Sequence, residues 1–450
     1  MTENSARLSA RRARIAAVCA AILILFILGS VFAVTLLDGD EILPKEEIAG
    51  IIESYEGQQS SVTAYLLDFG FSGFDKTRLR DVEFCYENYY YKEELPPDLS
   101  VAKEAALLFL EHFYDTVSLD DKDEVTAALI NCYIYAVGDT YGIYRLPEEY
   151  EDYGNNMSGS FVGIGVSVQQ NLSTGEMLVT DVFEDSGAEE AGILIGDYII
   201  AVDGRSISEI GISNAAAAIR GEAGTTVTIT VQRGAESIDF TVTRRQVVEK
   251  VVRYSINEEK IAYIKISSFK ENTDEQLSEA LSQMEADGAV GVIFDLRDNP
   301  GGYLDSVLNA IELLAPSGVR MASYKQRGYS EQVFASQNED MLDIPCVALV
   351  NENTASAGEL FAAAIRDLRN MEILCAKIVG RTTYGKGVMQ TSRAFSDGAA
   401  LTLTIAYYNP PSNVNYNGIG ISPDDSFTAP DDIAAELDLA YTAISELVAN

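Results

Sequence analysis

Five apolar residues, Cys346–Val350, run into a short polar turn, Asn351–Thr354, and then into a helical pattern over Ala355–Leu368. A run that short and that apolar reads as a strand covered on both faces. A helix that starts after one turn must fold back over the sheet. The same alternation recurs upstream: strand Ile261–Ile266, helix Thr273–Ala286 with Thr273 or Asp274 capping it, buried strand Val290–Leu296, and helix Leu304–Leu314. Residues 247–430 are therefore expected to form a layered α/β core with helices packed over a sheet.

The strand–turn–helix step also carries chemistry. It places Ser356 of Thr354-Ala355-Ser356-Ala357-Gly358-Glu359 in the first helical turn, beside unpaired N–H groups and a positive dipole end where an oxyanion would form. A pure capping role for Thr354 and Ser356 is the alternative. The chain holds one histidine, His112, far upstream in a helical segment, so a Ser-His-Asp triad would have to use it. A serine activated by lysine needs none. Lys386, between Gly385 and Gly387, is the candidate base. A lysine of ordinary pKa is neutral about once in 2500 molecules at pH 7, so burial must lower it by roughly 2–3 units. Gln390, one helical turn on if the segment is helical, can hold the amine. Asp295-Leu296-Arg297-Asp298-Asn299-Pro300-Gly301-Gly302 runs from a strand into a turn. Gly301 or Gly302 can lend an N–H to an oxyanion hole shared with Ala357.

Length suggests about three domains. The formal net charge of -37 excludes nucleic acid as a natural partner and disfavours broad docking on anionic lipid. The charge is uneven. Residues 1–14 form a basic tip of net +3, and the rest sums to -40. Ile15–Leu37 is uncharged for 23 residues; as a helix it spans about 34 Å, enough for a hydrocarbon core of about 30 Å. Arginines before it and Asp38, Asp40 and Glu41 after it place the N-terminus in the cytoplasm and the catalytic part outside. The reading is a single-pass membrane anchor, with a cleaved signal peptide ending near Val31-Phe32-Ala33 as the alternative. Cys346 and Cys375 read as buried strand residues, and Cys85 and Cys132 as a pair that an oxidising compartment could join. No zinc motif is present, and no metal or cofactor is expected.

Residues 45–155 read as helical and acidic, with helices from Val101, capped by Ser100, and over Asp123–Ala136, ended by Gly138. Ser100-Val-Ala-Lys103 matches the Ser-x-x-Lys of penicillin-binding enzymes, but neither Ser-Asp-Asn nor Lys-Thr-Gly accompanies it. Residues 156–246 change to short β-runs: Phe161–Val168, Met177–Phe183, Tyr198–Val202 before an Asp203-Gly204 turn, Thr225–Gln232 and Ser237–Thr243, with a helix near Asn214–Ile219. This order, with Ala191-Gly192-Ile193, Gly196-Asp197 and Asp203-Gly204, resembles a PDZ domain. Phe161, Gly163, Ile164, Gly165 and Val166 would bind a peptide there. The glycines let backbone N–H groups nest a terminal carboxylate, and the adjacent strand pairs with the peptide. Residues 431–450 are read as a C-terminal helical segment, with an amphipathic helix over Pro430–Val448. The fold class is thus mixed, α/β and α+β, in several domains.

Together with Val137-Gly138-Asp139, Tyr144, Pro147-Glu148, Phe269, Gly418-Ile419 and Pro423-Asp424, these motifs resemble the carboxyl-terminal processing peptidases, or tail-specific proteases, of bacterial cell envelopes. The resemblance implies a serine endopeptidase in which Ser356 attacks, Lys386 is the base and Gln390 orients it. It implies a PDZ module that recognises polypeptide C-termini and gates the site, a homodimer built by terminal helices, and leaves any activating protein unnamed. Pro411-Ser412-Asn413-Val414 departs from the usual Pro-Ser-Gly-Arg, which affects substrate contacts near that loop. Two other classes compete: an inactive PDZ scaffold at the membrane, which the intact Ser356, Lys386 and Gln390 argue against, and a non-proteolytic acyltransferase or hydrolase on the same core.

Overall fold

The strands read from their apolar runs meet in one sheet. The computed structural model describes residues 43–171, 176–339, 341–424, 427–428 and 433–449. The chain divides into two compact units: the described residues up to Asn88 with Glu94–Tyr144, and Tyr89–Glu93 with the chain from Arg145 on. The basic tip and the run Ile15–Leu37 lie outside the described residues; among those described, no helix is long and apolar enough to cross a membrane.

The first unit is helical: α1 (Lys45–Ser54), α2 (Val62–Asp68), α3 (Lys76–Tyr89), α4 (Asp98–His112) and α5 (Lys122–Val137). Helix α5 starts where Asp121 accepts the N–H groups of Asp123 and Glu124, and ends at Gly138 in a left-handed conformation (φ 82°), as N-caps and glycine C-caps require. Helix α4 begins two residues before the expected cap. Pro97 fixes its entry, and the Ser100 hydroxyl donates to the Pro97 carbonyl at 2.7 Å instead of capping. Cys85 and Cys132 are both buried and are not joined in a disulfide.

Strand β1 (Ile143–Arg145) straddles the division in the chain, and in the second unit α6 (Pro147–Ser158) precedes the β-rich module. Its strands are β2 (Ser160–Gly163), β3 (Val166–Asn171), β4 (Glu176–Val182), β5 (Tyr198–Val202), β6 (Arg205–Ser206), β7 (Thr226–Arg233), β8 (Glu236–Thr243) and β9 (Arg245–Val248), with helices α7 (Gly187–Ala191), α8 (Ile207–Ile210) and α9 (Ile212–Ile219). Strands β3-β4-β5-β7-β8 pair in that order, with β6 on β5, while β2 pairs with β9. The expected single strand Phe161–Val168 is thus two. It breaks at Gly165, whose φ of 82° and contact with Ser186, 2.2 Å from a would-be Cβ, admit no side chain.

The core sheet has the order β10 (Val252–Ile256), β11 (Ile261–Ile266), β12 (Gly291–Asp295), β15 (Cys346–Val350), β16 (Ala376–Gly380). Its last four strands are parallel. Period-two alternation sends Cys346, Ala348 and Val350 into a cluster with residues of α11 (Leu304–Glu312) and α12 (Ala357–Asn370); α10 (Thr273–Ala286) covers the same face. Val347 and Leu349 face Ala440, Ala443 and Ile444 of the terminal helix α13 (Ile433–Val448). Each fully buried aliphatic side chain contributes about 1.5–3 kcal/mol, so both faces are apolar and the parallel strands read as unbroken runs. Strands β13 (Arg320–Gln326), β14 (Gln332–Ala335), β17 (Val388–Ala394) and β18 (Ala400–Asn409) form an antiparallel group, with β18 between β17 and β13. Cys375, expected to be buried, is an exposed free thiol just before β16.

Candidate active site

Ligands of parallel α/β sheets gather outside the carboxyl ends of the strands. Here three segments leave those ends together: residues 296–302 after β12, 351–356 after β15 and 381–387 after β16. Ser356 is the N-cap of α12, with φ 53° and ψ -118°. A non-glycine residue held there costs about 1–3 kcal/mol and persists only where its surroundings over-determine it. They do. Thr354, fully buried, donates to the Leu296 carbonyl at 2.8 Å and accepts from the Asn351 N–H at 3.0 Å. The Ala355 N–H donates to the Asn299 carbonyl at 2.8 Å, and the Ser356 N–H to Glu359 Oε2 at 2.9 Å.

The Asn-Pro-Gly-Gly turn lies directly against this serine. A Cβ on Gly301 would sit 2.6 Å from Ser356 Cβ and 2.9 Å from the Ala357 nitrogen, and one on Gly302 would sit 1.9 Å from the Phe269 carbonyl oxygen. Both glycines also have left-handed φ, 103° and 149°, so the close approach and the backbone each require glycine. The Gly301 N–H donates to Asn299 Oδ1 at 2.8 Å. It is therefore committed to the turn, which leaves Gly302 and Ala357 as the oxyanion candidates of the three.

Lys386 is half-buried and its loop is clamped from two sides. Tyr408 Oη donates to the Lys386 carbonyl at 2.8 Å, Asn415 Nδ2 to the Gly387 carbonyl at 2.8 Å, the Gly387 N–H to Asn417 Oδ1 at 3.0 Å, and the Gly418 N–H to the Gly385 carbonyl at 2.8 Å. On the other side stands Glu359, wholly buried, which receives the Gly385 and Lys386 N–H groups at 2.7 Å each and the Thr383 hydroxyl at 2.5 Å. One carboxylate therefore holds both the serine turn and the lysine loop. Ser356-Ala-Gly-Glu359 has the Ser-x-x-Glu spacing of a capping box, which was the available signal for this residue. Buried Tyr416, whose phenol burial pushes well above its usual pKa, stands 3.0 Å from Tyr408 Oη and 3.4 Å from the Ser356 carbonyl.

Gln390 is not one helical turn from Lys386. It lies on β17, which pairs with β18 from Val388↔Tyr407 onward and skips Ile405 in a bulge beside it. Its amide makes a long 3.4 Å bond to the Val388 carbonyl. Asn413 stands at the departure from Pro-Ser-Gly-Arg with φ 62°, a left-handed conformation that asparagine tolerates better than most side chains. In the β-rich module Phe161 and Gly163 are spent on the ladder with β9, Ile164 is buried in the module core, and Val166 opens β3, an edge of the sheet. No cluster among the described residues could hold a metal ion.

The profile of peptidase family S41 matches residues 260–427, and that of the PDZ domain residues 178–233. The chain is 33% identical over 312 residues to the carboxy-terminal processing protease CtpA of Bacillus subtilis, covering 69% of this chain and 66% of that one. It is 31% identical over 349 residues to a CtpA-like serine protease of Staphylococcus aureus, covering 76% of this chain and 69% of that one. The chain belongs to peptidase family S41. Membership makes it a serine-type peptidase, a hydrolase acting on polypeptides. A solved structure from Bacteroides fragilis assigned to the S41 proteases shares the fold, with a TM-score of 0.51 at 17% identity over 82% of this chain and 97% of that one. Within the S41 family match lie all three loops described above.

Proposed function

We propose that the chain is a membrane-anchored endopeptidase of the carboxyl-terminal processing type, working through Ser356 and Lys386. The observation that carries the reading is the convergence of the Ser356 and Lys386 N–H groups on Glu359. Neutral Lys386 takes the proton of Ser356 Oγ as that oxygen attacks a peptide carbonyl. The Gly302 and Ala357 N–H groups receive the developing oxyanion, the amine leaves with a proton from Lys386, and Lys386 then activates the water that cleaves the acyl ester. Gln390 orients the lysine from β17.

The PDZ module selects the substrate. The backbone near Gly165–Val166 takes the terminal carboxylate, β3 pairs with the extended tail, and docking gates the core. Ile15–Leu37 anchors the chain with the catalytic part extracytoplasmic, and the active form is a homodimer.

The test uses the full chain in detergent micelles with fluorescent casein, beside Ser356→Ala and Lys386→Met. Cleavage by the parent alone is expected, each variant falling by at least about 10³-fold. Cleavage by either variant at the parent rate would remove the dyad, and turnover of small esters without casein would favour the non-proteolytic hydrolase.

A further inference from the structure

A charge cluster centred on buried Asp295, Arg297 and Glu436 adjoins the catalytic loops, outside the mechanism above. Asp295, at the end of β12, accepts from Arg297 Nη2 at 2.6 Å, Arg297 Nε at 3.0 Å and Tyr263 Oη at 2.6 Å, with Lys265 Nζ at 3.3 Å. The other side of the Arg297 guanidinium, Nη1, donates to Glu436 Oε2 of the terminal helix α13 at 3.0 Å. The second oxygen of the same glutamate, Oε1, is 2.9 Å from Arg381 Nε, an ion pair not aligned as a hydrogen bond. Arg381 in turn reaches Glu352 Oε1 at 3.1 Å through Nη1. Asp295 and Glu436 are each about 1% exposed and Arg297 8%.

Glu436 reaches two of the three loops directly, through Arg297 and Arg381, and the third through the Arg381–Glu352 pair. Arg297 stands five residues before Gly302, Arg381 five before Lys386, and Glu352 four before Ser356. The cluster Lys265, Asp295, Arg297, Arg381, Glu352 and Glu436 holds three positive and three negative charges. Glu436 is the carboxylate that bridges the two arginines, 3.0 Å from Arg297 Nη1 and 2.9 Å from Arg381 Nε.

Resting on the Ser356–Lys386 reading, we infer that Glu436 is a positioning residue. The terminal helix α13, by supplying this one carboxylate, sets the spacing of the serine turn, the lysine loop and the Asn-Pro-Gly-Gly turn. The catalytic site is thereby complete only when the C-terminal helix is seated on its own sheet. The helix is an active-site element as well as a packing one.

The test compares Glu436→Gln, Arg381→Gln and the double variant Glu436→Gln/Arg381→Gln with the parent and with Ser356→Ala, all as full chains in micelles. The readouts are kcat and KM on fluorescent casein, the labelling rate of Ser356 by a fluorophosphonate, and the thermal midpoint. Glu436→Gln keeps the shape and loses the charge. It is expected to lower kcat and the labelling rate by about ten- to a hundredfold, the scale of a small misplacement, with KM within about twofold. Arg381→Gln, which breaks half of the bridge, lowers kcat less and in the same pattern; it decides the matter if Glu436→Gln does not fold. The double variant restores charge balance and the thermal midpoint but not kcat, because the bridge is still absent. Recovery of kcat along with the midpoint would make Glu436 a stabilising residue only and overturn the inference. So would a Glu436→Gln enzyme, or failing that an Arg381→Gln enzyme, with parental kcat beside an inactive Ser356→Ala. An active Ser356→Ala would instead sink the dyad reading, and this inference with it.

Discussion

The helical unit and the catalytic core each bury a glutamate that accepts backbone N–H groups near the start of a helix, and the two are put to different uses. Glu83 of α3 takes the Val62 N–H at 2.6 Å, the Thr63 N–H at 3.2 Å and the Thr63 hydroxyl at 2.6 Å. All three donors come from adjacent residues at the start of α2. Glu359 takes its four from the serine turn and from the lysine loop, which begins beyond α12 and β16. A buried acid whose donors are local caps a helix. One whose donors come from two loops fixes a distance, and in this molecule that distance separates the candidate nucleophile from the candidate base. The number of loops reached, more than burial, distinguishes the two roles.

The sharpest way to break the comparison is Glu359→Ala, which leaves four donors without an acceptor. We expect kcat on casein to fall by about 10²-fold or more, with slower fluorophosphonate labelling of Ser356. Parental labelling would show that Glu359 is a cap of the Glu83 kind. A smaller effect is expected in the PDZ module. Asp197 accepts from Arg233 Nε and Nη2 at 2.7 Å each and from the Leu194 N–H at 2.9 Å, a set joining one turn to β7. Asp197→Ala should cost the module about 1–3 kcal/mol, read as faster amide exchange over residues 192–202, while fluorophosphonate labelling of Ser356 stays parental. Slowed labelling would tie this turn to the catalytic loops.

What could be read in the sequence follows the same division. Cys346–Val350 and Ile261–Ile266 are strands with the expected ends, and the helix expected over Thr273–Ala286 has those bounds, because apolar period and length are local properties. Gln390 was misplaced because the pairing of β17 with β18, a tertiary contact, decides that the chain extends after Gly387. Gly165 breaks a run that reads as one strand, because a side chain there would meet Ser186, twenty-one residues on. The partners of Glu436 lie 139 residues away at Arg297 and 55 away at Arg381, a separation no local pattern spans. One trace was present: Glu436 falls four residues before Ala440 and eight before Ile444, on the buried stripe of α13. An acid on an apolar stripe announces a buried partner without naming it.

The smallest predicted effect is a difference of sign between the two units. Burial pushes the Glu83 carboxyl above its usual pKa of 4.5, only partly offset by the Thr63 and Val62 hydrogen bonds. Asp295 goes the other way. Burial alone would raise it, but the Arg297 hydrogen bond, the Lys265 charge, the Tyr263 hydrogen bond and the Arg297 charge outweigh that and hold it below 3.8. A raised folded pKa means stability that is complete below the unfolded value and is lost as pH rises through the folded one. A lowered folded pKa means stability present above the unfolded value and lost as pH falls through the folded one. Acidification from neutral pH down towards the usual glutamate value of 4.5 should therefore strengthen the contribution of Glu83 to the helical unit while leaving that of Asp295 intact, and only below about pH 4 should the core lose it. Amide exchange over residues 62–68, corrected for its intrinsic pH dependence, should slow across that upper interval in the parent. Glu83→Gln, which has no charge to remove, should flatten the profile. A parent profile as flat as that of the variant would mean that Glu83 is ionised in the folded state as readily as in the unfolded one, and that the two buried acids differ in reach alone.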